Sequence, residues 1–91
     1  MTNFFVVKKK GENRYLHTVQ MKYGPNRVTL SNTNSITWDE ANKYMSIDSA
    51  LLNLKYYLNG KKTAWEGDFE ILEMAVHPII VRALDPREYQ Y

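Results

Sequence analysis

The sequence predicts an α+β domain: a mainly antiparallel sheet of about four strands in ββ(β)αβ order, with one amphipathic helix over residues 46–60 packed across one face. Three observations predict it. Ile47, Ala50, Leu51, Leu54 and Leu58 fall at i, i+3, i+4, i+7 and i+11, the spacing that stacks side chains into one apolar stripe. On both sides of that stripe lie runs rich in Phe, Val, Ile and Tyr with period-two alternation, which is strand patterning. Clusters of Gly, Pro and Asn separate the runs and supply the turns.

The helix is marked at both ends. Ser46 can accept a hydrogen bond from the first-turn N–H groups, Asp48 suits the positive end of the helix dipole, and Gly60 suits a left-handed closing residue. Ahead of it, Asn3–Lys9 reads as a first strand. Lys10-Gly11-Glu12-Asn13 turns the chain into a second strand, Arg14–Tyr23, so the two are expected to form a hairpin. In that second strand Tyr15, His17, Val19 and Met21 make a mixed apolar face, and the alternate residues are polar except for Leu16. Gly24-Pro25-Asn26 is another turn, followed by a short strand, Arg27–Ser31.

Asn32–Ser35 reads as an exposed loop. Residues 36–45 are ambiguous. Thr37 with Glu40 makes a capping box for one helical turn, but a short extended segment bending at Ser46 fits as well. In either case Trp38 and Tyr44 are bulky enough to belong under the helix. After it, Lys61–Gly67 is a loop. Asp68 to Met74 or Val76 is a strand, with Phe69, Ile71 and Glu73 on one side and Leu72, Met74 and Val76 on the other. His77-Pro78 interrupts it, because Pro has no N–H for a ladder. Ile79–Leu84 resumes as extended chain, and residues 85–91 form a tail that frays or docks its tyrosines on the body or on a second copy.

The 91 residues are read as a single domain, 1–91, with 44% hydrophobic residues and no cysteine. The composition is globular rather than disordered. The absence of cysteine removes disulfides, thiolate metal sites and cysteine nucleophiles, and suits a reducing cytoplasm. The apolar run near Met1 is too short for a membrane span, and its charges follow it rather than precede it as in a signal peptide. No membrane partner is expected.

Several residues together resemble a pattern common in short bacteriophage proteins. These are Tyr15-Leu16, Trp38 before an acidic pair, Ala41 with Tyr44, Ser46 with Ala50, and the later strand Phe69–Glu73. The abundance of Lys, Asn and Tyr also resembles the products of AT-rich genomes of low-GC Gram-positive bacteria and their phages. The family is that of small phage accessory proteins. It implies a fold and a bacterial cytoplasmic setting and, because some members are anti-CRISPR-like inhibitors of host defence, a suggestion of function.

The candidate chemistry is sparse. His17 and His77 are the only histidines and both sit in strand contexts, where structural roles are expected; no catalytic residue, metal site or cofactor is predicted. Glu66, Asp68, Glu70 and Glu73 are dense, but strand alternation puts Glu73 opposite Asp68 and Glu70, so they read as a solvated face. The glycines are scattered singly, which excludes a phosphate-cradling loop.

Charge is uneven although the net is only +2. Residues 1–30 hold Lys8, Lys9, Lys10, Arg14, Lys22 and Arg27 against Glu12 alone, whereas the acids cluster at 66–73. One reading is attraction between neighbouring strands; another is a basic surface for a polyanion. Aromatics beyond the needs of the core, Tyr56, Tyr57, Trp65, Tyr89 and Tyr91, favour protein binding. The expected surface therefore comprises Lys8, Lys9, Lys10, Arg14, Lys22, Arg27, Tyr56 and Trp65. Its expected partner is a host protein such as a nucleic-acid-processing defence complex, bound by a non-enzymatic inhibitor. The alternative is a small nucleic-acid- or nucleotide-binding module using the basic N-terminal hairpin.

Overall fold

A computed structural model describes residues 3–31, 40–59, 65–75 and 80–89. The expectations for Asn32–Ser35, Thr37, Trp38, Gly60, Lys61–Ala64, Val76–Ile79 and Tyr91 lie outside these residues. The elements are β1 (Phe4–Lys9), β2 (Leu16–Val19), β3 (Arg27–Leu30), α1 (Ile47–Leu58), β4 (Phe69–Met74) and β5 (Ile80–Leu84), with single 3-10 turns at Glu66–Asp68 and Pro86–Glu88. Among the described residues, no helix is long and apolar enough to cross a membrane.

The α+β class and the single full-length helix match the sequence reading, but the strands form two sheets rather than one. β4 is the middle strand of an antiparallel β1-β4-β5 sheet, and β2 and β3 make a separate antiparallel pair. The expected hairpin of the first two strands is the part that differs. β1 and β2 meet only at the turn, through a bridge between Lys8 and Tyr15 and a 2.9 Å bond from Lys9 N to Arg14 O. Beyond that point residues 42–44 run between them. Phe5 and Tyr44 exchange backbone bonds on the β1 side. On the β2 side, Asn42 N donates to Leu16 O (3.0 Å) and Thr18 N donates to Asn42 Oδ1 (3.1 Å). The inserted segment takes the edge groups that hairpin pairing would have used, so β1 finds its ladder with β4, from Phe4 opposite Met74 to Lys9 opposite Phe69. Tyr44 is thereby extended rather than helical.

The helix forms where its stripe predicts. Ser49 N donates to the Ser46 side-chain oxygen (3.1 Å), and Asn59 N closes the other end on Lys55 O (3.0 Å). Ala50, Leu51 and Leu54 are buried, with Ile47 and Leu58 partly so. Removing each leucine from water contributes roughly 1.5–3 kcal/mol.

β4 is covered on both faces. Phe69 and Ile71 meet α1 together with Val7, Leu16, Tyr44 and Leu84, while Leu72 and Met74 pack with Val6 and Ala41 behind the sheet. Leu16, the residue that broke the polar pattern of its strand, is fully buried, and Thr18 on its face is exposed only at the strand's far end. The tail docks as far as Tyr89: Asp85 caps the Pro86–Glu88 turn, Pro86 is buried and Tyr89 packs on the main core.

Candidate functional site

Three of the six basic residues of the N-terminal third have polar partners within the chain. Lys8 lies opposite Glu70 in the β1–β4 register, and its Nζ reaches Glu70 Oε1 at 3.2 Å. Lys9 pairs with Glu12 (3.2 Å). Arg14 donates through Nε to Ser31 O (2.8 Å) and lies 3.7 Å from Glu12. Attraction between the basic strand and the acidic one thus accounts for one of the six bases, Lys8, and one of the clustered acids, Glu70, while Lys9 and Arg14 are held by Glu12 and Ser31. Glu73 accepts from Asn3 (2.8 Å) and Arg82 (2.7 Å), bonds that hold its carboxyl below the usual range. Lys10 stays exposed, and Lys22 sits 5.6 Å over the ring of Tyr23 beyond the end of β2.

Burial, and then the nearby Glu70 charge, push the Tyr15 phenol above its ordinary value; burial does the same to Tyr44, against a bond from Asn42. Both phenols keep their protons at neutral pH. His17 is half-buried opposite Thr29, and His77 lies outside the described residues. Among the described residues, no three His, Asp or Glu side chains are grouped as a metal would need.

Arg27 and Tyr56, far apart in the sequence, are expected site residues that the fold brings together at a hollow. The turn through Gly24, at φ +100°, returns the chain so that Arg27 and Val28 lie beside the outer flank of α1. There Asn26, Val28, Leu52, Asn53 and Tyr56 line a hollow of about 440 Å³. Arg27, Val28, Tyr56, Tyr57 and Asn59 line an adjoining one of about 220 Å³. Val28 and Tyr56 belong to both, so the two form one groove between α1 and β3. Its walls carry one cation, three asparagines and no carboxylate. Leu52 and Tyr56 are 64% and 67% exposed, an unusual position for such large side chains one turn apart on a helix flank.

Comparison of the chain with protein-family models, with curated proteins and with solved structures found no match in any of the three. The site therefore rests on its own geometry.

Sequence reasoning missed Asn26, Val28 and Leu52. The signal for Leu52 was present: it falls outside the buried stripe, and Tyr56 follows at i+4, making a second apolar pair on the solvent side. Of the other aromatics, Tyr57 meets Phe69 edge-on with ring centroids 6.0 Å apart, sealing the core. Trp65 belongs to a different place. Its ring lies against Gly67 and 5.2 Å from the Arg87 guanidinium, and it lines neither hollow.

Proposed function

We propose that this chain is a non-enzymatic binding module that acts by occupying a surface of a protein partner, as an inhibitor of the phage accessory type that its sequence resembles. The observation that carries the reading is the groove between α1 and β3, with Leu52 and Tyr56 more than half exposed over an apolar floor at Val28. Tyrosine and arginine, here Tyr56 and Arg27, are among the residue types that supply most of the free energy of protein interfaces. The partner that the resemblance suggests is a host defence protein, including complexes that process nucleic acid. A net charge of +2 opposes mimicry of DNA, which needs an acidic face, so the mechanism is occlusion or blocked assembly.

The rival is polyanion binding, and it keeps one specific observation: Tyr23 is 83% exposed beside Lys22, an arrangement that could stack on a base. Pairing of Lys8, Lys9 and Arg14 with internal partners weakens it.

Affinity capture from a bacterial lysate tests the reading when the wild-type chain is compared with a Leu52→Ser, Tyr56→Ala double variant. A stoichiometric protein partner held by the wild type and lost by the variant is the expected outcome. Capture of nucleic acid that weakens by orders of magnitude between about 50 and 200 mM salt would establish the rival instead.

A further inference from the structure

We infer that the groove accepts an extended segment of the partner as an added strand on the open edge of β3, with an apolar side chain between Val28, Leu52 and Tyr56 and a carboxylate facing Arg27. The inference rests on the protein-binding reading and names the chemistry of what is bound.

The backbone argument comes from the β2–β3 ladder. Ser31 N donates to Tyr15 O at 2.9 Å, which makes Tyr15 and Ser31 a hydrogen-bonded pair. Antiparallel ladders alternate, so Leu16 with Leu30 and Thr18 with Val28 are the non-bonded pairs, whose N–H and C=O groups point away from the partner strand. On β2 those outward groups are met by Asn42, at Leu16 O and Thr18 N. On β3 the outward groups of Val28 and Leu30 have no hydrogen-bond partner among the described residues. An unpaired strand edge is a template for another strand.

Two further facts select this edge. β5 is also an outer strand, but its register slips against Glu73 and Met74, leaving Val81 unpaired as a bulge, and Arg82 is tied to Glu73. A bulge and a charge are the usual means of blunting an edge. β3 pairs with β2 without a bulge, its one charge on the groove is Arg27, and the side chain of Val28 forms part of the groove wall. The occupant's charge follows from complementarity: the walls offer Arg27 and no acid, and no ion pair engages Arg27 among the described residues. The C-terminal end of α1 is also close at Asn59, and its negative dipole opposes a free anion there. A carboxylate carried on a strand, and held at Arg27 by its neighbours' backbone bonds, meets both conditions.

The test uses short random peptides displayed and selected on the immobilised full chain, followed by synthesis of an enriched peptide. The expected sequences alternate apolar and polar residues and carry an Asp or Glu. On saturation with the synthetic peptide, amide exchange at Val28 and Leu30 should slow by about tenfold or more. Methylating alternate peptide nitrogens should abolish binding in one phase of the alternation and leave it intact in the other, with the protein itself unaltered. Arg27→Glu should shift selection from acidic to basic peptides.

Peptides that bind without protecting Val28 and Leu30, or that tolerate methylation equally in both phases, overturn the added strand, as does a selection that enriches nothing. Protection of those amides that rises with protein concentration in the absence of peptide also overturns it, because a second copy then fills the edge. If any of these occurs while the lysate partner still depends on Leu52 and Tyr56, the protein-binding reading survives alone. If that dependence is lost too, both fall.

Discussion

Phe5 and Tyr44 exchange both of their backbone hydrogen bonds, each 2.8 Å long, and so fasten the segment before the helix to the first strand. The Tyr44 ring is 92% removed from solvent in the main core, and its hydroxyl accepts from Asn42 Nδ2 at 3.2 Å. Tyr44→Ala should therefore cost about 3–5 kcal/mol, as large aromatic truncations in cores do. Asn42→Ala leaves the Thr18 N–H without its side-chain partner and should cost about 1–2 kcal/mol. Urea denaturation measures both. A cost for Tyr44→Ala below that for Asn42→Ala would refute the placement of the ring.

The groove makes the opposite prediction for stability. Leu52→Ser and Tyr56→Ala remove side chains that are mostly in water, so each should change the unfolding free energy by no more than about 0.5–1 kcal/mol while removing partner binding. Thermal melts of the two variants beside the wild type check the first half of that statement. A loss of several kcal/mol would mean that these residues serve the core.

Gly67 is required by what lies on it. A Cβ there would run into the six-membered ring of Trp65. Gly67→Ala should lift that ring away from Arg87 with little effect on the main core. Proton NMR reads it directly: the Gly67 α-protons should be displaced upfield by the ring current in the wild type, and Trp65→Ala should return them to ordinary positions. Unshifted wild-type protons would contradict the arrangement.

Acid should loosen the tail before it unfolds the domain. Arg87 bonds the Asp85 carboxylate with Nε and Nη2 as well as through its backbone N–H, and these bonds lower the carboxyl from 3.8 to about 2. The folded form thus binds the proton more weakly than the unfolded chain. The stabilisation is complete above pH 3.8 and is lost progressively as the pH falls towards about 2. Protection of the Arg87 and Tyr89 amides, taken relative to intrinsic exchange at each pH, should fall through that window, and Asp85→Asn should abolish that fall. Protection that is flat from pH 4 to 2 would exclude the linkage.

The helix was legible because one local period places Ala50, Leu51 and Leu54 on one side, and Ser46 caps it without help from elsewhere. Four strands were legible for the same reason, although the second, expected over Arg14–Tyr23, spans only Leu16–Val19. Pairing was not, since a turn such as Lys10–Asn13 predicts adjacency but cannot reveal that Asn42 and Tyr44, thirty residues on, will take the edge groups of both strands. The charge asymmetry was visible in the sequence as two blocks, and the register of Lys8 against Glu70 joins them at one pair. For the site, Arg27 and Tyr56 were found as types, a cation and a surplus aromatic. Val28 and Asn26 were invisible because only the return of the chain at Gly24 sets them beside the helix.

The pairing of Phe4 with Met74 also sets a timetable for synthesis. As the chain leaves the ribosome, Phe4–Val7 emerges well before its ladder partners at Ile71–Met74, so the apolar first strand must wait for them. The helix and the β2–β3 pair can form meanwhile, but the β1–β4 ladder closes only after residue 74 is free of the exit tunnel. Truncations ending before β4 should therefore associate with chaperones or aggregate through that waiting strand, whereas a chain that includes β4 can bury it at once.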